Sequence, residues 1–184
     1  MITGLLSGVP LFWPGLLCSL VPAALLNRPV GRLLRAHWAV AFVLLLAGGG
    51  VVTLTLLPDS QGAFWELSRD AVRHCAFAGA GLRPPDEWLT SRQAELNIAM
   101  FVPVGLAAAL AGTRPRAAAA LLGAAALPFA VEAVQYALPG LGRACDAQDV
   151  WDSLLGLALG AAPGLLAGQV VRAAARSLRA GRSA

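Results

Sequence analysis

Residues 117–138 read AAAALLGAAALPFAVEAVQYAL. Apart from Glu132 the stretch is free of charge, and its length falls within the roughly 17–25 apolar residues that a helix needs to cross a hydrocarbon core. A lone carboxylate at that depth costs about 3 kcal/mol unless it is paired, neutralised or hydrated. The segment therefore reads as a membrane span, and Glu132 as its functional position. A polar string follows at short spacings: Gln135, Arg143, Asp146, Asp149, Asp152 and Ser153. A second apolar run begins at Leu154. Arg143, on the loop that closes the same helix, is the expected partner of Glu132.

The rest of the chain has the same character. Its 184 residues are 58% hydrophobic and only 13% charged, with a mean hydropathy of +0.68. That is a membrane composition in a single-domain length. Five apolar runs are expected to span, over residues 4–26, 36–57, 95–112, 117–138 and 153–171. The fold class this predicts is an all-α polytopic integral membrane bundle of about five transmembrane helices. The third run is the weakest, being short and carrying Asn97 and Pro103. No basic residue precedes the first run and no clear cleavage site precedes Asn27, so it reads as a retained helix, with a cleaved signal as the alternative.

All 14 basic residues are Arg, and their placement sets an expected orientation. Arg28, Arg32 and Arg35 lie between spans one and two, Arg114 and Arg116 between spans three and four, and Arg172, Arg176, Arg179 and Arg182 in the tail. These nine share their segments with no Asp or Glu, whereas the remaining five Arg and all ten acids belong to the other side. The positive-inside rule then predicts an outside N-terminus and a cytoplasmic C-terminus. The sequence pI of about 9.8 points to anionic membrane lipids as partners and not to nucleic acid. Trp38, Trp65, Trp88, Tyr136 and Trp151 fall near span ends or in the outer loop, as interfacial anchors do, with Trp13 the exception.

The outer loop, residues 58–94, contains Phe64, Leu67, Ala71, Cys75 and Ala78 at helical spacing with charges opposite, which predicts an amphipathic helix along the membrane surface. Cys75 and Cys145 both fall on the outer side, where a disulfide can persist, but two cysteines are a thin signal and the reading leaves both thiols free. Cys18 reads as a packing residue. No Cys/His pattern has zinc spacing, and His37 and His74 read as interfacial or solvated. No metal or cofactor is expected.

Gly156, Gly160, Gly164 and Gly168 place three overlapping GxxxG steps on one face of span five. Such a face lets a partner backbone approach closely. An internal partner, span three or four, is the preferred reading, and a homodimer seam is the runner-up. Gly48-Gly49-Gly50 in span two implies close approach or a bend, and Pro103 and Pro128 imply kinks.

Glu132, Gln135 and Tyr136 stand at i, i+3 and i+4, on one face of span four. Glu132 lies about 9 Å below the outer end at 1.5 Å per residue, shallow enough for a funnel open to the outside. Asn97 of span three reaches the same level. Asp146 or Asp149 is expected to cap span five, whose N-terminus favours negative charge. Three readings compete. The first is a structural Glu132–Arg143 pair with the aspartates as caps. The second is a binding site for a polar headgroup or cell-wall-type ligand, with Arg143 holding a phosphate or carboxylate. The third is catalysis by a desolvated Glu132 as acid or base. A divalent cation on Glu132, Asp146 and Asp149 is a variant of the last. No Cys, Ser or His forms a nucleophile pair, so catalysis has the least support, and the chain reads more as a binder than as an enzyme.

Taken in order, Asn97-x-x-x-Phe101-x-Pro103-x-Gly105, Glu132-x-x-Gln135 and Arg143-x-x-Asp146-x-x-Asp149-x-x-x-Ser153-x-x-Gly156 resemble the VanZ-like family of small bacterial membrane proteins. The family is named for a member that confers low-level teicoplanin resistance. Two positions depart from its pattern: Ser153 stands where the family usually has Asn, and Glu95 where it often has Asp. The resemblance implies a membrane domain over residues 36–171, preceded by an additional helix and basic loop at 1–35 and followed by an Arg-rich tail at 172–184. It further implies a multi-pass protein of the bacterial cell membrane with Asn97, Glu132, Gln135, Arg143, Asp146, Asp149 and Ser153 as ligand-binding residues. The expected partner is a lipid-linked cell-wall precursor or a glycopeptide. The alternatives are a membrane-embedded enzyme acting on a lipid or cell-wall precursor and a structural partner of another envelope protein.

Overall fold

The computed structural model describes residues 12–57, 74–88, 91–141 and 144–181. Among these, five helices account for nearly all the structure: α1 (Phe12–Leu34), α2 (Trp38–Leu56), α3 (Arg92–Ala109), α4 (Arg114–Ala137) and α5 (Ala147–Gly181). A two-residue parallel pair, β1 (Cys75–Ala76) with β2 (Cys145–Asp146), ties the segment before α3 to the segment before α5. The helix starts follow local chemistry. The Ser91 hydroxyl accepts from the Ala94 N–H at 3.0 Å, and His37 Nδ1 accepts from the Ala39 N–H at 3.3 Å. Pro115 occupies the first turn of α4, where its missing N–H costs nothing.

Among the described residues, three helices are long and apolar enough to cross a membrane: α2, α4 and residues Ala147–Val170 of α5. The other two carry polar groups that interrupt the apolar run: Asn27, Arg28 and Arg32 in α1, Arg92, Glu95 and Asn97 in α3. For α3 the reason is its place in the bundle. It packs most extensively against α5 and also touches α2 and α4. Half its length is buried, including Asn97, Ile98, Phe101 and Val104. A helix surrounded by protein has little surface to present to lipid, so it tolerates polar groups that its neighbours satisfy. The core joins four helices through Val51, Phe101, Val104, Ala108, Ala124, Val131 and Leu157.

The α3–α5 contact is made by glycine. A Cβ on Gly156 would collide with the Ile98 carbonyl, one on Gly160 with the Val102 carbonyl, and one on Gly105 with the Leu157 carbonyl. At Gly164 it would stand 2.8 Å from both Ala109 Cβ and the Leu106 oxygen. Gly168 is also buried. The face that carries this spacing is thus occupied by α3 of the same chain. Between α1 and α2 the same device is used twice: Gly15 faces Thr53 and Leu57, and Gly49 faces Ser19. Of the 48–50 glycine run only Gly49 serves close approach, Gly48 and Gly50 facing open space, and α2 continues through the run without a break. Likewise α3 and α4 continue through Pro103 and Pro128.

The two ends of the bundle differ in charge. At one end the Gly112 N–H donates to the Leu34 carbonyl at 3.0 Å, and Arg116 Nε donates to the Leu33 carbonyl at 2.7 Å. The two arginine-only connections therefore meet. The acids Asp146, Asp149 and Asp152 gather at the other end, with β1 and β2.

Several expectations need correction. The first span was expected to end at residue 26, and the helix runs on to Leu34 through Pro22 and Pro29, so Arg28 and Arg32 are helical and not in a loop; residues 4–11 of that expectation lie outside the described residues. Of the amphipathic helix expected at 64–78, the part up to residue 73 lies outside the described residues. Its C-terminal end is not helical: Cys75 is in β1 and Ala78 in a turn. Strand pairing and covalent linkage to β2 hold that end extended. Helix α5 starts at Ala147, six residues before the expected start of the fifth span at Ser153, so Asp149 and Asp152 are helical, as a helical turn leading into that span would make them. Cys18 is exposed on α1, not packed inside. Finally, Cys75 and Cys145 are joined in a disulfide and are not free thiols. Their sequence separation of 70 hid a contact that the folding of α3 and α4 creates.

Candidate functional site

The site lies where α4 ends and α5 begins. Glu132 is 8% exposed, on the inner face of α4. Its Oε2 accepts from the Asp146 N–H at 2.7 Å. That amide belongs to β2, so the carboxylate anchors the connection between the helices. Asp146 in turn caps α5, its Oδ1 accepting from the Gln148 N–H at 2.9 Å. A carboxylate here satisfies an orphan N–H and faces the positive end of the helix. Arg143, the expected partner of Glu132, lies outside the described residues.

One turn into α5, Asp149 Oδ2 accepts from Gln93 Nε2 of α3 at 2.7 Å. Asn97, one turn further along α3, interacts with Asp149, yet its buried Nδ2 has no partner in hydrogen-bond geometry. The structure thus brings Asn97, Glu132, Asp146 and Asp149 together from α3, α4 and α5. Ser153 is 4% exposed, one turn below Asp149 on α5. Gln135 is placed differently. It shares the face of Glu132 but reaches α2, donating from Nε2 to the Thr55 carbonyl at 3.0 Å. Thr55 is in the last turn of α2, whose carbonyls have no intrahelical donor. The Gln135 Oε1 is buried without a partner. A buried acceptor left unmade costs about 1–3 kcal/mol.

A second set of residues braces this site. Asp152, only 1% exposed, receives Arg83 Nε at 3.2 Å on Oδ1 and 3.3 Å on Oδ2. Gln148 Nε2 donates to Asp152 Oδ1 at 3.0 Å and to the Gly81 carbonyl at 2.9 Å, while its Oε1 accepts from the Gly81 N–H at 3.0 Å. Trp88 Nε1 donates to the Arg83 carbonyl at 2.9 Å. Sequence reading passed over Arg83, Gln93 and Gln148. The signal for Gln148 was its i, i+4 relation to Asp152. Nothing local marked Arg83, which meets its partner across 69 residues.

Carboxylates dominate the electrostatics. Asp149 is in range of Asp146 and Asp152, and Glu132 in range of Asp146 and Asp149. Arg83 is bound to the far member of this group. Beside them an open groove of about 560 Å³ runs between α4 and α5. Glu132 and the Cys75–Cys145 disulfide line it together with Phe77, Phe129, Tyr136 and Trp151. All four rings are at least 41% exposed. The groove is therefore amphipathic: an apolar trough with acid at one place. No side chain forms a nucleophile pair there among the described residues. Asp146 and Asp149, the expected companions of Glu132 around a divalent cation, are each engaged by a donor from the protein.

A family model described as VanZ/LLP1 matches residues 40–167. The matched span runs from α2 to near the end of the apolar part of α5 and leaves α1 outside. No curated protein and no solved structure matches the chain. With more than half its length in the match, the chain belongs to the VanZ/LLP1 family.

Proposed function

We propose that this VanZ/LLP1 family member is a multi-pass protein of the bacterial cell membrane, with five spans, the N-terminus outside and the C-terminus in the cytoplasm. On this reading the site around Glu132 opens outward and binds a lipid-linked or lipidated ligand, and that binding lowers susceptibility to lipoglycopeptide antibiotics such as teicoplanin. The observation that carries the reading is the groove at the α4–α5 end. An aromatic-walled trough takes an acyl or prenyl chain, while acceptors at one end fix a polar head. Arg143 supplies the cation for a phosphate or carboxylate on that head.

Charge asymmetry supports the orientation. The arginine-only connections meet at one end and the acids gather at the other, the pattern that the positive-inside rule associates with cytoplasmic and outer faces. The test is the teicoplanin and vancomycin minimum inhibitory concentration in a susceptible Gram-positive host, for wild type, Glu132→Gln and Arg143→Ala at matched membrane expression. A rise for teicoplanin that both substitutions abolish supports a resistance function in this site. No rise for wild type removes the antibiotic from the reading.

A further inference from the structure

The Cys75–Cys145 disulfide lines the same groove as Glu132, and the ligand reading gives its two sulfurs no part. The two sulfurs and a Glu132 carboxylate oxygen lie within 4.8 Å of one another. We propose that reduction of this disulfide creates a binding site for a zinc-class divalent cation, with both thiolates and Glu132 as protein ligands and water in the fourth position.

The geometry favours this in four ways. First, the cysteines remain adjacent without their covalent bond, because β1 and β2 pair in the register Cys75↔Cys145 with a Cα–Cα distance of 4.5 Å. In a tetrahedral site with Zn–S near 2.3 Å and Zn–O near 2.1 Å, donor atoms stand roughly 3.5–3.8 Å apart. Rotation of two freed thiols about their Cα–Cβ bonds covers that difference. Second, Glu132 is already oriented. The Asp146 N–H holds Oε2, leaving Oε1 for the ion, the kind of outer hydrogen bond that fixes metal ligands. Third, the groove lined by Cys75, Glu132 and Cys145 is an entry path. Fourth, the neighbouring Asp146 and Asp149 carboxylates favour cation entry. Two thiolates and one carboxylate suit zinc and disfavour magnesium and calcium, which take oxygen donors.

The chemistry balances. A dithiol donor passes two electrons and two protons to the S–S bond and leaves as its own disulfide, giving two Cys thiols. Zinc then displaces both thiol protons. Cys145 is only 5% exposed, so the formed site would be shielded from exchange.

The test uses the full chain in detergent, oxidised or reduced by a phosphine and desalted without oxygen. Zinc uptake is read by competition with a chromophoric chelator. The reduced protein should take about one zinc per chain, the oxidised protein should take none at comparable affinity, and Cys75→Ser should abolish uptake. Glu132→Gln, with helix content checked, should weaken it at least about 10-fold, the lower bound for losing even an outer-shell partner. Wild type alone supplies a second readout: zinc should protect Cys75 and Cys145 from alkylation while the exposed Cys18 reacts at an unchanged rate. No zinc on the reduced protein, equal uptake by the oxidised protein, or unprotected Cys75 and Cys145 overturns the proposal. Unchanged affinity in Glu132→Gln removes Glu132 from the ligand set and overturns it as stated. No antibiotic or lipid-linked ligand is present, so this inference and the ligand reading can fail separately.

Discussion

Asp152 is the most deeply buried charge in the described structure, and its surroundings show what the fold asks of one carboxylate. Arg83 and Gln148 occupy its oxygens, and Gln148 also closes on the Gly81 backbone. Removing one partner of a buried pair leaves an uncompensated charge, which typically costs about 3–5 kcal/mol. The Arg83 side chain is 28% exposed, so water compensates part of the loss. We expect Arg83→Ala to cost about 2–3 kcal/mol, at or below the lower end of that range, in equilibrium unfolding in detergent. Adding Asp152→Asn to that variant should recover most of the loss. The neutral amide no longer needs a cation but still accepts from Gln148. Independent, additive losses in the double variant would show that the ion pair does not couple the loop to α5.

The glycines carry the argument among the helices. The α3–α5 interface has no room for a single methyl at Gly105, Gly156 or Gly160, because the obstruction is backbone carbonyl and cannot swing away. Gly123, exposed on α4, has open space around its missing Cβ. Gly160→Leu should therefore lower stability by at least about 3 kcal/mol, the upper end for overpacking, and reduce the yield of folded protein on size-exclusion chromatography. Gly123→Ala should be neutral or stabilising by up to about 1 kcal/mol, through helix propensity alone. Equal tolerance of the two substitutions would mean that α3 and α5 do not pack as closely as described. The length of α5 has its own consequence. Thirty-five residues span about 52 Å at 1.5 Å per residue, well beyond a hydrocarbon core of about 30 Å. The part of α5 apolar enough to cross ends at Val170, so the helix is longer than a single crossing needs.

For the whole molecule, the arginine-only end and the acid-bearing end define an axis. A reporter active only in the cytoplasm, fused after Ala184, should be active, and one active only outside should be silent. The reverse would turn the molecule over and place the groove, the disulfide and Glu132 on the cytoplasmic side. Much of this axis was legible in the sequence. Residues 117–138 declared a span, the arginine distribution sorted the connections, and the order of Asn97, Glu132, Gln135, Asp146 and Asp149 pointed to the family. These signals are local or compositional: periodicity, apolar length and charge are properties of neighbouring residues. Gln135 shows the limit, for its place on the Glu132 face was readable but its destination on the Thr55 carbonyl of α2 was not. The disulfide across 70 residues, the Arg83–Asp152 pair across 69 and the choice of α3 as partner of the glycine face are all pairings between distant segments. Spacing along a chain specifies which face a residue occupies. Which other face it meets depends on how the helices pack, and only the tertiary structure decided that.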